Sequence, residues 1–274
     1  MPLQDAALYI VVEPASGRCQ VRLLLPPMTM GLISASPRIL RIKAVASSFL
    51  FLWGSMIHAD TVELNTFKSA YAAHDVKLNT NPSSTFWKDA PSVYAEIDRY
   101  GNFIPKYRTR ISSRWTKNNL YLLFVCPYEQ LYLKPSPNLV KETYGLWKWD
   151  VAELFIGSDF SNIRRYKEFE LSPQGEWVDL DINQALPDHT SGWTWNSGFQ
   201  VTARIDPKAK TWYGAMRIPF SAIDQRSPVV GRTFRANLFR SQGSPGQINL
   251  IAWQAPMSDT FHVSERFGLL TLVK

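Results

Sequence analysis

The chain has 274 residues, of which 45% are hydrophobic and 19% are charged, so it can bury a sizeable core and is not disordered throughout. Its net charge of +7 includes no block of Lys and Arg beyond residue 59, which argues against a nucleic-acid partner. The two cysteines, Cys19 and Cys126, exclude a disulfide framework, a cysteine-based zinc site and an iron–sulfur cluster.

The segment from about residue 30 to residue 59 has the three-part pattern of a secretory signal peptide. Basic residues at 38–43 precede the apolar run 44–57, and small and polar residues follow it. The run is too short to span a bilayer comfortably, although an uncleaved membrane anchor is the alternative. We expect residues 1–59 to be an N-terminal extension, with little structure in its first 27 to 29 residues. The mature protein would begin near Asp60 and be secreted or lie in the periplasm or cell envelope.

Short apolar runs joined by turn signals fill the chain beyond residue 106. The predicted strands are 107–116, 120–126, 151–157, 165–171, 176–182, 198–205, 211–218, 233–240, 248–254 and 268–273. Only residues 219–224 predict a helical turn, and residues 60–107 are expected to supply an outer strand or a wrapping loop. Hairpins without alternating helices predict an all-β antiparallel sandwich of the jelly-roll type, a single domain over residues 60–274.

Two pairs of tryptophans lie in predicted loops, where an indole is harder to bury than inside a strand. Trp147 and Trp149 precede the strand 151–157, and Trp193 and Trp195 form the second pair. The apolar face of a pyranose stacks on an indole, so an exposed Trp147 indicates a sugar-binding surface, with core packing as the alternative.

The polar loop before the last strand contains Phe261 and His262. Phe261 is a candidate for a second stacking plate that faces Trp147. His262 is a candidate donor to a sugar hydroxyl, although a single histidine also occurs as a structural residue.

Carboxylate pairs provide a second kind of candidate site. Asp150 and Glu153 are close in sequence, and Asp179 and Asp181 would share one face of a strand. Such pairs serve as acid and base in glycoside hydrolysis, as oxygen ligands for Ca²⁺, or simply as solvated surface groups. Asp179 and Asp181 are the candidate Ca²⁺ ligands in this sequence.

Several motifs, taken in order, resemble the family 9 carbohydrate-binding modules, which occur with xylanases. The likeness runs from about Trp87 to Lys274 and is carried by Trp147-x-x-Asp150-x-x-Glu153-Leu-Phe, Trp212-x-Gly214, Ile218-Pro-Phe220, and Phe261-His262 with Arg266-Phe267-Gly268. The resemblance implies a DOMON-like β-sandwich with structural Ca²⁺. It also implies that two aromatic side chains clamp a terminal sugar, typically at the reducing end of a glycan.

The resemblance assigns roles by position. Trp147 would be the first plate, Glu153 an acceptor for sugar hydroxyls, and Phe261 a smaller second plate where the best-known members have Trp. Glu170 stands where those members use Arg to hold the sugar, and this charge reversal puts reducing-end recognition in question. Arg266 is a candidate to compensate for it.

These observations predict an exported, non-catalytic protein that binds a mono-, oligo- or polysaccharide such as xylan or cellulose. It would assist polysaccharide degradation or uptake beside a separate glycoside hydrolase. Three alternatives stay open: a glycoside hydrolase that depends on Glu153, a protein-interaction sandwich with exposed aromatics, and a haem-binding DOMON-type sandwich with Met216 and His262 as axial ligands.

Overall fold

The computed structural model describes residues 65–274 throughout and, before them, two strands, β1 (Tyr9–Ala15) and β2 (Arg18–Leu24). These two strands pair as an antiparallel hairpin that the sequence did not predict. The chain divides into two compact units, Met1–Ala59 and Asp60–Lys274. The predicted signal segment 30–59 lies outside the described residues. Among the described residues there is no helix with the length and apolar character needed to cross a bilayer.

Thirteen strands of the second unit form one sheet. They are β3 (Thr66–Tyr71), β4 (Ser92–Ala95), β5 (Ile97–Asp98), β6 (Thr109–Trp115), β7 (Asn119–Pro127), β8 (Val151–Gly157), β9 (Arg165–Leu171), β10 (Trp177–Asn183), β11 (Gln200–Asp206), β12 (Thr211–Pro219), β13 (Thr233–Gln242), β14 (Asn249–Ala252) and β15 (Gly268–Val273). The helical elements between them are short: α1 (Phe220–Ile223) and 3-10 turns at Pro105–Tyr107, Leu146–Lys148, His189–Thr194 and Ser264–Arg266. Every strand predicted beyond residue 106 is present, as is the helical turn.

The main path of the sheet runs β10-β9-β8-β13-β15-β3-β6-β7-β12-β11, and β4, β14 and β5 branch from it. The path bends around a large apolar cluster, so the sheet is nearly closed and barrel-like. The cluster includes Trp115, Leu154, Phe169, Trp212 and Leu238, all buried. Burying a side chain of this size stabilises the fold by about 1.5–3 kcal/mol.

Residues 60–107 were expected to supply an outer strand or a wrapping loop; β4 pairs with β6 alone, whereas β3 lies inside the sheet. It pairs with β15, where Phe67 lies opposite Leu270, and with β6, where Tyr71 lies opposite Trp115. Both pairings are parallel, so the sheet is mixed rather than purely antiparallel. Phe67 and Ser69 are buried in alternation with exposed Thr66 and Lys68, so one face of β3 packs on the core while its two edges pair with β15 and β6.

The segment that follows β3 does wrap the sheet, as predicted. Trp87 and the partly buried Val76 pack on the outer face of β7 and β12, against Tyr121, Leu123 and Ala215. This segment covers apolar side chains that would otherwise face water, which explains why two strands of the sheet are buried on both faces.

The strand β8 is buried along its whole length and separates two apolar clusters. Ala152, Leu154 and Ile156 face the main core, whereas Val151 and Phe155 face the second cluster with Phe239, Val178 and Leu180. Side chains alternate between the two faces of a strand, so Glu153 shares the face of Val151 and Phe155. This second face of β8, β9, β10 and β13 forms the floor of the candidate site.

Candidate functional site

A cavity of about 500 Å³ lies over the second face of β8, β9 and β13. Its walls come from the turns that contain Trp147 and His189 and from the segment around Phe261. The cavity is lined by Arg99, Trp147, Glu153, Phe155, Glu168, His189, Thr190, Ser241, Gly246, Ile248, Leu250, Asp259, Thr260, Phe261 and His262. Its size and its mixture of apolar walls and a few polar groups are typical of small-molecule sites.

Strand register brings the acidic side chains of the floor together. Glu153 of β8 lies opposite Glu170 of β9 and opposite Phe239 of β13, and Glu168 lies opposite Phe155. Since residues two apart on a strand share a face, Glu168 and Glu170 point to the same side as Glu153. One ligand oxygen from each of the three glutamates lies within 4.8 Å of the others.

These three carboxyl groups are buried. Burial, together with the charge of Glu168, raises the pKa of Glu153 well above its usual range, although Ser241 Oγ donates a 3.0 Å hydrogen bond to Glu153 Oε1. Burial raises the pKa of Glu168 to about 7. Burial and the charges of Glu153 and Glu168 raise the pKa of Glu170 well above its usual range. The floor of the cavity is therefore acidic and poorly solvated.

Trp147 lies in the 3-10 turn Leu146–Lys148 and is half-buried on the wall of the cavity. Tyr144 packs edge-to-face against it at 5.1 Å between ring centroids and also contacts Trp193 at 5.1 Å. The Tyr144 hydroxyl lies 3.0 Å from Thr190 Oγ1, which links this aromatic group to the turn on the other wall. Trp147 of the first predicted pair thus lines the cavity, whereas Trp193 of the second contacts Tyr144 outside the lining.

The partner tryptophans point elsewhere. Trp149 stacks on Tyr132 at 5.6 Å between centroids, away from the cavity lining. Trp195 lies near Phe169 and under the Lys167 ammonium group, on the opposite face of β9. Each pair straddles the end of a 3-10 turn, Leu146–Lys148 or His189–Thr194, where residues two apart do not share a face as they would in a strand.

Phe261 lines the cavity but is only 7% exposed. It stacks face to face on Phe239, with 4.0 Å between centroids and 16° between planes, and meets Phe155 edge-on. One face of the Phe261 ring is therefore occupied by protein, and only a small part of the ring borders the cavity.

His262 lies between the floor and the turn that contains His189. Its Nδ1 is 2.6 Å from the Tyr166 hydroxyl, its Nε2 is 3.9 Å from Glu168 Oε2, and the His189 ring is 4.4 Å away. Burial, with a smaller contribution from His189, lowers the pKa of His262 to about 4. His262 is therefore neutral at pH 7 and has a ring nitrogen on the cavity side.

Two predicted binding residues do not line the cavity. Arg266 is exposed in the 3-10 turn Ser264–Arg266, and Glu170 lies beneath the lining beside Glu153. The cation nearest the rim is instead Arg99, whose Nη1 lies 2.9 Å from Asp259 Oδ1. Sequence reasoning missed Arg99, Asp259, Glu168 and His189, because long-range folding brings them to the cavity. The alternation in Glu168-Phe169-Glu170 was the one local signal for an acidic face.

The candidate Ca²⁺ ligands Asp179 and Asp181 lie on the other face of β10. Asp181 forms an ion pair with Lys167 at 2.6 Å. Asp179 Oδ2 accepts a 2.8 Å hydrogen bond from the Ser197 backbone N–H, and its Oδ1 has no partner. Burial and the neighbouring Asp179 raise the pKa of Glu142 to about 8.

Asp150, the other carboxylate singled out by its spacing, has a structural role. Its two oxygens accept hydrogen bonds from Tyr132 N–H at 2.9 Å, Gln242 Nε2 at 2.8 Å and Gly243 N–H at 2.8 Å. It thereby ties the segment before β8 to the end of β13, and it points away from the cavity lining.

The proposed haem ligands do not form a pair. Met216 is fully buried in the main core, whereas His262 belongs to the cavity on the other side of β8. The sequence could not separate them, because alternation on β12 allowed Met216 to face either way.

The chain is similar in sequence to a curated protein and in structure to several solved ones. No family model matches the chain. A curated relative from Arthroderma benhamiae, named an extracellular protein, is 26% identical over 184 residues, covering 62% of this chain and 80% of the relative.

Solved structures are similar over most of the described residues. A family 9 carbohydrate-binding module from Caldicellulosiruptor kristjanssonii in complex with glucose has a TM-score of 0.55 and 12% identity, covering 76% of this chain and 95% of its own. A family 9 module from the same organism in complex with cellotriose has a TM-score of 0.54 and 11% identity, covering 76% of this chain and 94% of its own. A Bacteroides uniformis protein, provisionally assigned as carbohydrate-binding, has a TM-score of 0.61 and 14% identity, covering 77% of this chain and 100% of its own. The second unit of this chain therefore has the fold of the family 9 carbohydrate-binding modules.

Proposed function

We propose that the protein is an exported carbohydrate-binding protein that seats a sugar ring in the 500 Å³ cavity. The observation that carries the proposal is the meeting of Trp147, Glu153, Phe261 and His262 on one cavity, although the chain separates the first two from the last two by about a hundred residues. An aromatic wall above an acidic, hydrogen-bonding floor suits a pyranose, whose C–H faces are apolar and whose edge presents hydroxyls.

Each side chain then has a role. Trp147 provides the stacking wall, and Phe261 contributes a smaller surface because Phe239 covers its other face. Glu153 accepts hydrogen bonds from hydroxyls, with Ser241 fixing one of its oxygens. His262 offers Nε2 on the cavity side. Arg99, at the rim, provides the cation that was predicted at Arg266.

Four further proposals accompany this one. Export is supported by the signal-like segment 30–59 and by a relative named extracellular. A role beside a separate glycoside hydrolase in polysaccharide degradation or uptake is a proposal drawn from the resemblance, and the neighbours in complex with glucose and cellotriose support its saccharide-binding part. A structural Ca²⁺ at Asp179 and Asp181 is supported by their shared face and by the unpartnered Asp179 Oδ1. The jelly-roll, DOMON-like form of the sandwich belongs to the same set.

The test is titration calorimetry of the full chain with glucose, xylose, cellobiose and xylobiose, and with the matching alditols. Trp147→Ala should abolish binding and leave the cooperative unfolding transition in place. Trp149→Ala is the matched control, because it removes a half-buried tryptophan from the same turn without touching the cavity. Equal affinity in the Trp147 variant and the control would remove the basis for the stacking role. Binding that is lost on reduction to the alditol would assign reducing-end recognition.

Glycoside hydrolysis is a second candidate, favoured by the closeness of Glu153 and Glu168 on the floor. Retaining hydrolases place two carboxyl groups about 5 Å apart. This candidate predicts turnover of an aryl glycoside that disappears in Glu153→Gln. Sugar binding without turnover in the wild type would favour the carbohydrate-binding protein over the hydrolase.

A further inference from the structure

The acidic floor of the cavity lacks the counter-charge that three buried glutamates ordinarily require. Glu153, Glu168 and Glu170 are 2%, 3% and 0% exposed. Within residues 65–274, the nearest basic group in an ion pair with any of them is His262, whose Nε2 is 3.9 Å from Glu168 Oε2, beyond hydrogen-bond length. Buried charges without a partner are costly, so proteins pair them or use them to coordinate metals.

A second observation is independent of the clustering. Neither oxygen of Glu170 has a hydrogen-bond partner, and Glu168 Oε2 has none. Buried polar atoms of this kind are uncommon in folded proteins, and an unfilled ion site is one of their ordinary explanations. These oxygens therefore receive no hydrogen bond from a protein N–H or hydroxyl group and face the other carboxyl groups of the cluster.

Asp150, also fully buried, shows how this chain satisfies a structural acid. It accepts three hydrogen bonds, from Tyr132, Gln242 and Gly243. The large buried cation of β13, Arg240, donates to Thr109 and lies on the opposite face from Glu153, because adjacent residues alternate. The buried guanidinium of Arg240 is thus directed into the main core and not at the three glutamates.

The spacing of the three glutamates suits a metal ion. Ligand oxygens around one Ca²⁺ lie about 2.3–2.6 Å from it, so two of them can be separated by up to about 5 Å. One oxygen from each glutamate lies within 4.8 Å of the others. Carboxylate oxygens are the ligands that hard divalent cations prefer, and a bound divalent cation would hold the three carboxyl groups in their ionised form.

We propose that Glu153, Glu168 and Glu170 bind a hard divalent cation, Ca²⁺ or Mn²⁺, at the floor of the cavity. Glu153 and Glu168 border the cavity, so the ion has a route in and open coordination positions on that side. Glu170 closes the site from beneath. Binding of the ion needs no sugar, so this proposal and the proposed function can fail separately.

The experiment is calorimetric titration of the full chain, freed of metal with EDTA and dialysed, with CaCl₂ and then MnCl₂ at pH 7, without sugar. Glu168→Gln and Glu170→Gln keep the side-chain shape and remove one charge each. Each should weaken cation binding by at least about tenfold, as losing even an outer partner of a metal site does. Glu265→Gln, an exposed glutamate in a neighbouring turn, is the matched control and should bind as the wild type does. Thermal unfolding of each variant shows that it is folded.

Cation binding that is lost in both glutamine variants and kept in the control, with a Tm that rises on adding metal, supports the site. No binding by a folded wild type would mean that the glutamates are protonated and would overturn the proposal. Binding that persists in both variants but disappears in Asp179→Asn would place the ion at the aspartate pair of β10 and would overturn it equally. Sugar titrations with EDTA and with CaCl₂ then report separately on the proposed function.

Discussion

Replacing Phe261 with alanine tests whether this ring is part of the core or a free plate for sugar stacking. The side chain is 7% exposed and stacks on Phe239 at 4.0 Å. Phe→Ala changes in cores cost about 3–5 kcal/mol, since the cavity left behind adds to the lost burial. For a domain of this size each kcal/mol lowers Tm by about 2–4 °C, so we expect a decrease of roughly 6–20 °C.

The assay is thermal unfolding of the full chain followed by circular dichroism. Phe160→Ala is the control, because Phe160 is 52% exposed and its removal should change stability by no more than about 0.5 kcal/mol. If Phe261→Ala unfolds at the same temperature as this control, the ring is not a core element and the packing argument is refuted. A large decrease in Tm would mean that any loss of sugar affinity in this variant must be corrected for unfolding.

Two further predictions concern stability against pH and thiol reactivity. Burial tends to raise the pKa of Asp75, but hydrogen bonds from Thr116, Asn118, Asn119 and Tyr121 outweigh it and lower that pKa below its usual value. The ionised form is therefore the stabilising one: the Tm advantage of the wild type over Asp75→Asn should be full above about pH 4 and shrink as the pH is lowered further. An advantage that grows in acid would contradict this sign. Burial raises the pKa of the Cys126 thiol to about 12, with Arg240 opposing it, so Cys126 should not react with an aromatic disulfide reagent at pH 8 until the protein is unfolded. Fast reaction of the native chain, measured against Cys126→Ser to account for Cys19, would show that the thiol is accessible.

Local sequence signals predicted most of the strands. Period-2 alternation and turn residues such as Lys117-Asn118-Asn119 indicate hairpins, because a strand's faces and a tight turn depend on neighbouring residues alone. The spacing from Trp147 to Glu153 is also a local signal, because it places an indole in a turn just before a buried strand. Both features survive in the structure, with β6 and β7 paired across that turn.

The position of β3 shows where local signals end. Its residues alternate as a strand should, yet nothing near them in the chain specifies parallel pairing with β15, about two hundred residues away. Parallel neighbours are joined by long connections, so the pairing is decided by which apolar faces can be buried together.

The same limit governs the candidate site. Alternation in Glu168-Phe169-Glu170 assigns both glutamates to one face, but β8 and β9 are buried on both faces, so the pattern cannot say which face holds a cavity. Tertiary packing decided that Glu153, Glu168 and Glu170 meet, that Asp179 and Asp181 lie on the other side, and that Phe261 rests on Phe239. The sequence alone determined the strands beyond residue 106 and the aromatic residue types. The tertiary structure decided which acids share one poorly solvated floor, because only strand register and the packing of distant turns bring them within a few ångströms.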